Sequence, residues 1–268
     1  DLQPILADLI RRCLLPVSGV VVKIAAIEDR SRFQTRETST SYLGFELGAD
    51  ISADLDLDEY MAYTRNRVQA KHFVGNMLLK HLSENVQDRH LVKESPAQLD
   101  NRYRVTLDRF LEYAFGYGAF PALVQAAEGI PRDTINIVSM AAQRAGSGTI
   151  TEAHVKLAAR QWYVRDKERS ASTHEAAGQL LRALVDEVLV NHRTRGFFLE
   201  NGGDAEHPLI RYLYDARVIH LLGRDIASDQ HPGRRFSLYT LDYGAYVDAT
   251  GRRVAPPLLL VHDGKTEV

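Results

Sequence analysis

Cysteine occurs once in the 268 residues, as Cys13, so no internal disulfide can close and a reducing compartment suits the chain. Cys13 lies in an apolar helical run, which predicts a buried thiol. No apolar stretch approaches the length of a membrane span, and nothing at the start reads as a signal peptide. The expectation is a cytoplasmic protein without a membrane partner. Neither sign of charge dominates: 33 Lys and Arg against 35 Asp and Glu give a formal net charge of −2. That balance gives no global attraction to nucleic acid or anionic lipid, so such contact has to come from a local patch. Metal-ligand spacing is missing as well, because His207, His220 and His231 have neither a close partner nor a cysteine beside them, which speaks against a zinc site. A Gly-x-x-x-x-Gly-Lys-Thr/Ser phosphate loop is absent too. The closing DGKTEV imitates its end, but Leu259 stands where the first glycine belongs.

What is present divides into three grammars. The opening DLQPILADLIRRCLL is already helical, with Ile5, Leu6, Leu9, Ile10 and Leu14 in apolar register, so the chain reads as a fragment that starts inside an element. VVVKIAAI (20–27) is a continuous β-branched run that predicts a buried parallel strand, and a short strand is expected at Ile51 to Leu55. Residues 1–57 thus resemble the end of a doubly wound sheet. From 58 to 173 the pattern is helical with breaks at glycine and proline, and the threonines opening TLDRFLEYAF and TITEAHVKLAARQWY can cap their helices. ASTHEAAGQ then marks a boundary. Residues 174–254 read as helix, strand, helix and a two-stranded ribbon, the order of a winged helix, and 255–268 as a tail or edge strand. The fold class expected is therefore mixed and mainly α: a partial α/β P-loop subdomain, a helical lid bundle and a winged-helix domain.

The most informative stretch is Gly129-Ile130-Pro131-Arg132. Pro131 suits the first helical position, where its missing N–H costs no hydrogen bond, and Gly129 allows a tight entry. Arg132 is thereby pinned at the amino end of a helix, whose dipole repels a cation unless an anion is near. A phosphate would satisfy both the arginine and the free helix N–H groups. Pairing of Arg132 with Asp133 or Glu128 as a solvated helix start is the other possibility.

EGIPRDTINIVSMAAQRA followed by TITEAHVKLAAR resembles the lid of the AAA+ ATPases, among them the origin-recognition-like and bacterial signalling or defence ATPases. In that family a Gly-x-Pro-Arg arginine, sensor 2, reaches the γ-phosphate. DLQPILADLIRRCLL is similar to the helix after the Walker B strand, and VVVKIAAIE to the sensor 1 strand. The resemblance implies ATP with magnesium in the intact protein, bound by Gly129, Pro131 and Arg132. It implies a sensor 1 role for Glu28, although the family prefers a shorter polar residue there. It also implies an arginine finger among Arg30, Arg32 and Arg36, completing a neighbouring subunit's site in a homo-oligomer. Without its own Walker A loop the chain should not hydrolyse ATP alone.

Residues 174 to 253 carry ten Arg, no Lys and eleven Asp or Glu, so DNA contact would rest on few side chains: Arg211 and Arg217 on the candidate recognition helix, Arg234 and Arg235 before the last strand. A protein partner fits this module equally well, and a non-enzymatic adaptor is the alternative to the ATPase. Tyr212, Tyr214, Tyr239, Tyr243 and Tyr246 suit a core better than a base-stacking platform.

Overall fold

The computed structural model describes residues 2–26, 31–36, 42–46, 49–50, 63, 66–85, 107–228, 231–247, 257–258, 261–262 and 265–266. The chain divides into two compact units, Asp1–Asp56 and Leu57–Val268.

In the first unit helix α1 (Gln3–Leu9) continues into a wide turn, Ile10–Leu14, and packs on an antiparallel hairpin of β1 (Gln34–Arg36) and β2 (Tyr42–Gly44). The helix buries Pro4, Ala7 and Asp8 rather than its large apolar residues. Asp8 explains the choice. It accepts from Arg11 at 2.7 Å and Arg12 at 2.6 Å, and Arg11 reaches on to the Tyr42 hydroxyl at 3.2 Å. The hydrogen bond from Arg11 in particular holds the Asp8 carboxyl below its ordinary range. Two expectations fail here. Cys13 is exposed, not buried, because the wide turn Ile10–Leu14 that carries it buries none of its residues. Residues 20–26 form no strand and are mostly exposed, since a parallel strand needs a ladder partner and none of the described residues pairs with them. The strand expected at 51–55 lies outside the described residues.

The second unit is mainly helical. Helices α2 (Arg67–Asn85), α3 (Leu107–Ala114), α4 (Ala119–Ala127), α5 (Pro131–Ala145) and α6 (Glu152–Trp162) surround Val74, Leu123, Val124, Ile137 and Val155, each 1% exposed or less. Burial of each such side chain contributes roughly 1.5–3 kcal/mol. Thr151 caps α6: its hydroxyl accepts from the His154 N–H, and the Thr151 N–H donates to His154 Nδ1, both at 3.3 Å. Thr106, the other expected cap, lies outside the described residues. α6 runs on through a wide, π-type stretch, Tyr163–Glu168, and a last turn, Arg169–Ser172.

Helix α7 (Glu175–Val185, extended by Asp186–Asn191) leads into β3 (Gly196–Glu200), α8 (Pro208–Asp215), β4 (Ile219–Ala227), β5 (Arg235–Leu241) and the single turn α9 (Tyr243–Tyr246). The sheet order is β3-β5-β4, antiparallel throughout, and the short strands β6 (Val261–His262) and β7 (Lys265–Thr266) pair separately. His174 and His207 are spent on caps, accepting from Ala177 N–H at 3.3 Å and Leu209 N–H at 3.2 Å. Tyr239, Tyr243 and Tyr246 are buried as expected, and Tyr212 and Tyr214 pack against the same core. That core is continuous from the helices to the sheet.

Candidate functional site

The chain leaves α4 through two residues in left-handed conformation, Glu128 (φ 43°) and Gly129 (φ 79°), and Ile130 returns it to extended geometry. Pro131 then opens α5 at its first position, as the sequence predicts. No side chain caps this helix start. Arg132 follows with its side chain 60% exposed. It pairs with neither Asp133 nor Glu128. Its guanidinium lies 3.3 Å from Asp166 Oδ1 and 5.9 Å from the Trp162 ring centroid.

Asp133 turns the other way, into the protein, at 0% exposure. Its Oδ1 accepts from the Trp162 indole N–H at 2.9 Å, and Arg217 Nε stands 3.6 Å away. Lys167 Nζ, 1% exposed, sits 2.8 Å from Asp133 Oδ2 and 2.5 Å from Asp242 Oδ2. Asp242 also meets His220 Nε2 at 2.9 Å and accepts from Gly244 N–H at 2.9 Å, capping α9. Arg217 closes the circuit on Asp166. Three cations, Arg132, Lys167 and Arg217, thus face three carboxylates, Asp133, Asp166 and Asp242. That balance is what makes such burial tolerable.

Electrostatics follow the geometry. Burial alone would lower the Lys167 ammonium and raise the Asp242 carboxyl, but each moves the opposite way. The facing carboxylates hold Lys167 above its ordinary value, while Lys167 and His220 hold Asp242 below its own. A lysine kept protonated is no amine nucleophile. Its role is to bind the first turn of α5, the tail of α6 and the β5–α9 corner into one piece.

Glu128 lies beside this network with a different balance. It is 6% exposed, burial pushes its carboxyl up, and His220 and Arg195 only partly counter that. Its Oε2 has no hydrogen-bond partner among the described residues. Arg195, also buried, donates to the Tyr246 hydroxyl at 3.3 Å.

The other residues singled out in the sequence are scattered. Glu28 and Arg30 lie outside the described residues. Arg32 and Arg36 are exposed on the first unit, the backbone N–H of Arg32 donating to Gln3 Oε1 at 2.7 Å. Arg211 is exposed on α8. Arg217 lies past the end of that helix, in left-handed conformation (φ 60°), with its side chain 19% exposed and committed to Asp166 and Asp133. Arg234 pairs with Glu200 at 2.8 Å, and Arg235 donates to the Asp225 carbonyl at 3.1 Å. Among the described residues no group of three His, Cys, Asp or Glu side chains is placed to hold a metal ion.

Sequence reasoning passed over Lys167 and Asp242, and it weighed Asp133 only as a partner of Arg132 and His220 only as a zinc ligand. One signal marks Lys167. Val155, Ala159, Tyr163, Lys167 and Ala171 recur every fourth residue and are all buried. An α-helix would drift off that stripe, whereas the wide turn at Tyr163–Glu168 stretches the period enough to keep it. No protein-family model, curated protein or solved structure matches this chain.

Proposed function

We propose that this chain is the C-terminal region of an AAA+ ATPase that works as an ATP-dependent switch or remodeller of DNA or protein. The observation that carries the reading is the start of α5: an uncapped helix end, entered through Gly129 and Pro131, with the Arg132 guanidinium largely exposed on it. Free helix N–H groups and an arginine together suit a phosphate. In the intact protein Arg132 would face the γ-phosphate of ATP bound with magnesium, and the nucleotide's hydrolysis would supply the energy of switching. Arg32 and Arg36 are the described arginines that this reading offers to a neighbouring copy. The helix–strand–helix–strand–strand order with sheet order β3-β5-β4 supports a winged helix as the output module. The same topology favours the second reading, an adaptor that binds DNA through Arg211, Arg234 and Arg235 or binds a protein partner.

The deciding experiment is ATP turnover by the intact protein with Arg132→Ala. The expected result is a loss on the order of 10²-fold, the usual effect of removing one group that stabilises developing phosphate charge, with the melting temperature within a few degrees of wild type. Turnover equal to wild type rejects the sensor role of Arg132, and absence of turnover in the intact wild-type protein leaves the adaptor.

A further inference from the structure

Asp166 is claimed by two arginines from different parts of the unit. Arg132, on the first turn of α5, lies 3.3 Å from Oδ1, and Arg217, between α8 and β4, holds Oδ2. The outer pair is open to solvent, since the Arg132 side chain is 60% exposed. The inner one is not, with Arg217 at 19%. Arg217 is also no ordinary surface residue. Its backbone is left-handed at φ 60°, its N–H donates to the Tyr214 carbonyl at 2.8 Å, and the next N–H, of Val218, donates to the Leu213 carbonyl at 3.2 Å. The Val218 carbonyl accepts from the Asp242 N–H at 3.0 Å, which ties the junction to the residue that receives Lys167.

We propose that Asp166 is a positioning residue that couples the Arg132 side chain to the α8–β4 junction. Two like-charged guanidinium groups share one carboxylate, so each weakens the other's hold on it. When Arg132 leaves Asp166, Arg217 gains the whole carboxylate. The junction then tightens. Any oxyanion that draws Arg132 outward would produce this effect; the identification of that anion as a nucleotide phosphate rests on the reading above.

The test is amide hydrogen exchange at Val218 and Asp242 in the full chain. Arg132→Ala should slow exchange at both by about threefold, the size of a partly exposed pair interaction. Asp166→Asn should speed it, and adding Arg132→Ala to Asp166→Asn should change nothing further. Arg234→Ala, which removes an exposed arginine from a different pair, should leave both amides alone. Unchanged or faster exchange in Arg132→Ala overturns the coupling, and so does an equal Arg132 effect with and without the Asp166 carboxylate. Should Asp166→Asn fail to fold, salt replaces it. Screening the exposed outer pair should bring wild-type exchange toward that of Arg132→Ala, and a persistent gap at high salt overturns the proposal. Slowed exchange together with normal ATP turnover in Arg132→Ala would reject the phosphate-sensing role of Arg132 and keep the coupling. Lost turnover with unaltered exchange would reject the coupling alone.

Discussion

Replacing Lys167 with Met removes the charge from the centre of the buried network while keeping most of its volume. At an effective dielectric constant near 20, the contacts of Lys167 with Asp133 (2.8 Å) and Asp242 (2.5 Å) are worth about 6–7 kcal/mol each before desolvation. Desolvation takes back several kcal/mol per ion, and removing one partner of a buried pair costs about 3–5 kcal/mol, because it strands the other charge. Asp133 would keep the Trp162 indole and Asp242 would keep His220 and the Gly244 N–H, which argues for the lower half of that range. The corresponding fall in melting temperature is roughly 6–16 °C for a unit of this size. Trp162, the only tryptophan, donates to Asp133 and so reports on the site during urea unfolding. The pH dependence sharpens the test. In wild type Asp242 is held below its ordinary value, so its stabilisation is present above the unfolded-state carboxylate range and is lost as pH falls through the lowered one. In Lys167→Met the Asp242 carboxyl loses the charge that holds it down while its burial, which raises it, remains, so the variant loses stability as pH rises. The two proteins should converge as pH falls from 7 toward 4. A deficit below about 1 kcal/mol at pH 7, comparable to that of an exposed pair, refutes the buried-network account, as does a deficit that does not change with pH. Combining Lys167→Met with Asp133→Asn and Asp242→Asn should recover most of the loss.

Two further perturbations test neighbouring features. Glu128 is pushed up by burial, so it favours the folded state below the unfolded-state carboxylate range and that advantage is lost as pH rises through its raised value. Glu128→Gln should therefore match wild type in melting temperature near pH 4 and exceed it increasingly toward pH 8. A constant difference across a melting series would contradict the burial of this carboxyl. At Gly244 an added methyl would fall onto the Tyr163 Cβ and within 2.8 Å of the Ala159 carbonyl. Gly244→Ala should cost at least about 1–3 kcal/mol in urea unfolding, and a neutral result would mean that α9 does not sit against α6.

The sequence alone determined the features that depend on near neighbours in the chain. Gly129 and Pro131 force a turn and a helix start at Pro131, Thr151 caps α6, and the alternation in RFSLYTL makes the strand β5. These follow from allowed φ and ψ, missing N–H groups and side-chain period. Where the expected partner lay far away, the reading failed. Residues 20–26 have the composition of a buried strand but find no ladder among the described residues. Cys13 has apolar neighbours, yet Asp8 and Arg11 decided which helix face packs. The buried network was out of reach for the same reason. Lys167 lies 34 positions after Asp133 and 75 before Asp242, inside a run of charges that reads as a solvated helix end. Only the tertiary structure, with the widened turn after Trp162 and the β5–α9 corner brought against it, decides that this lysine points inward. A charge is stable in the interior only where opposite charges and hydrogen bonds meet it, and such meeting depends on distance in space rather than distance along the chain.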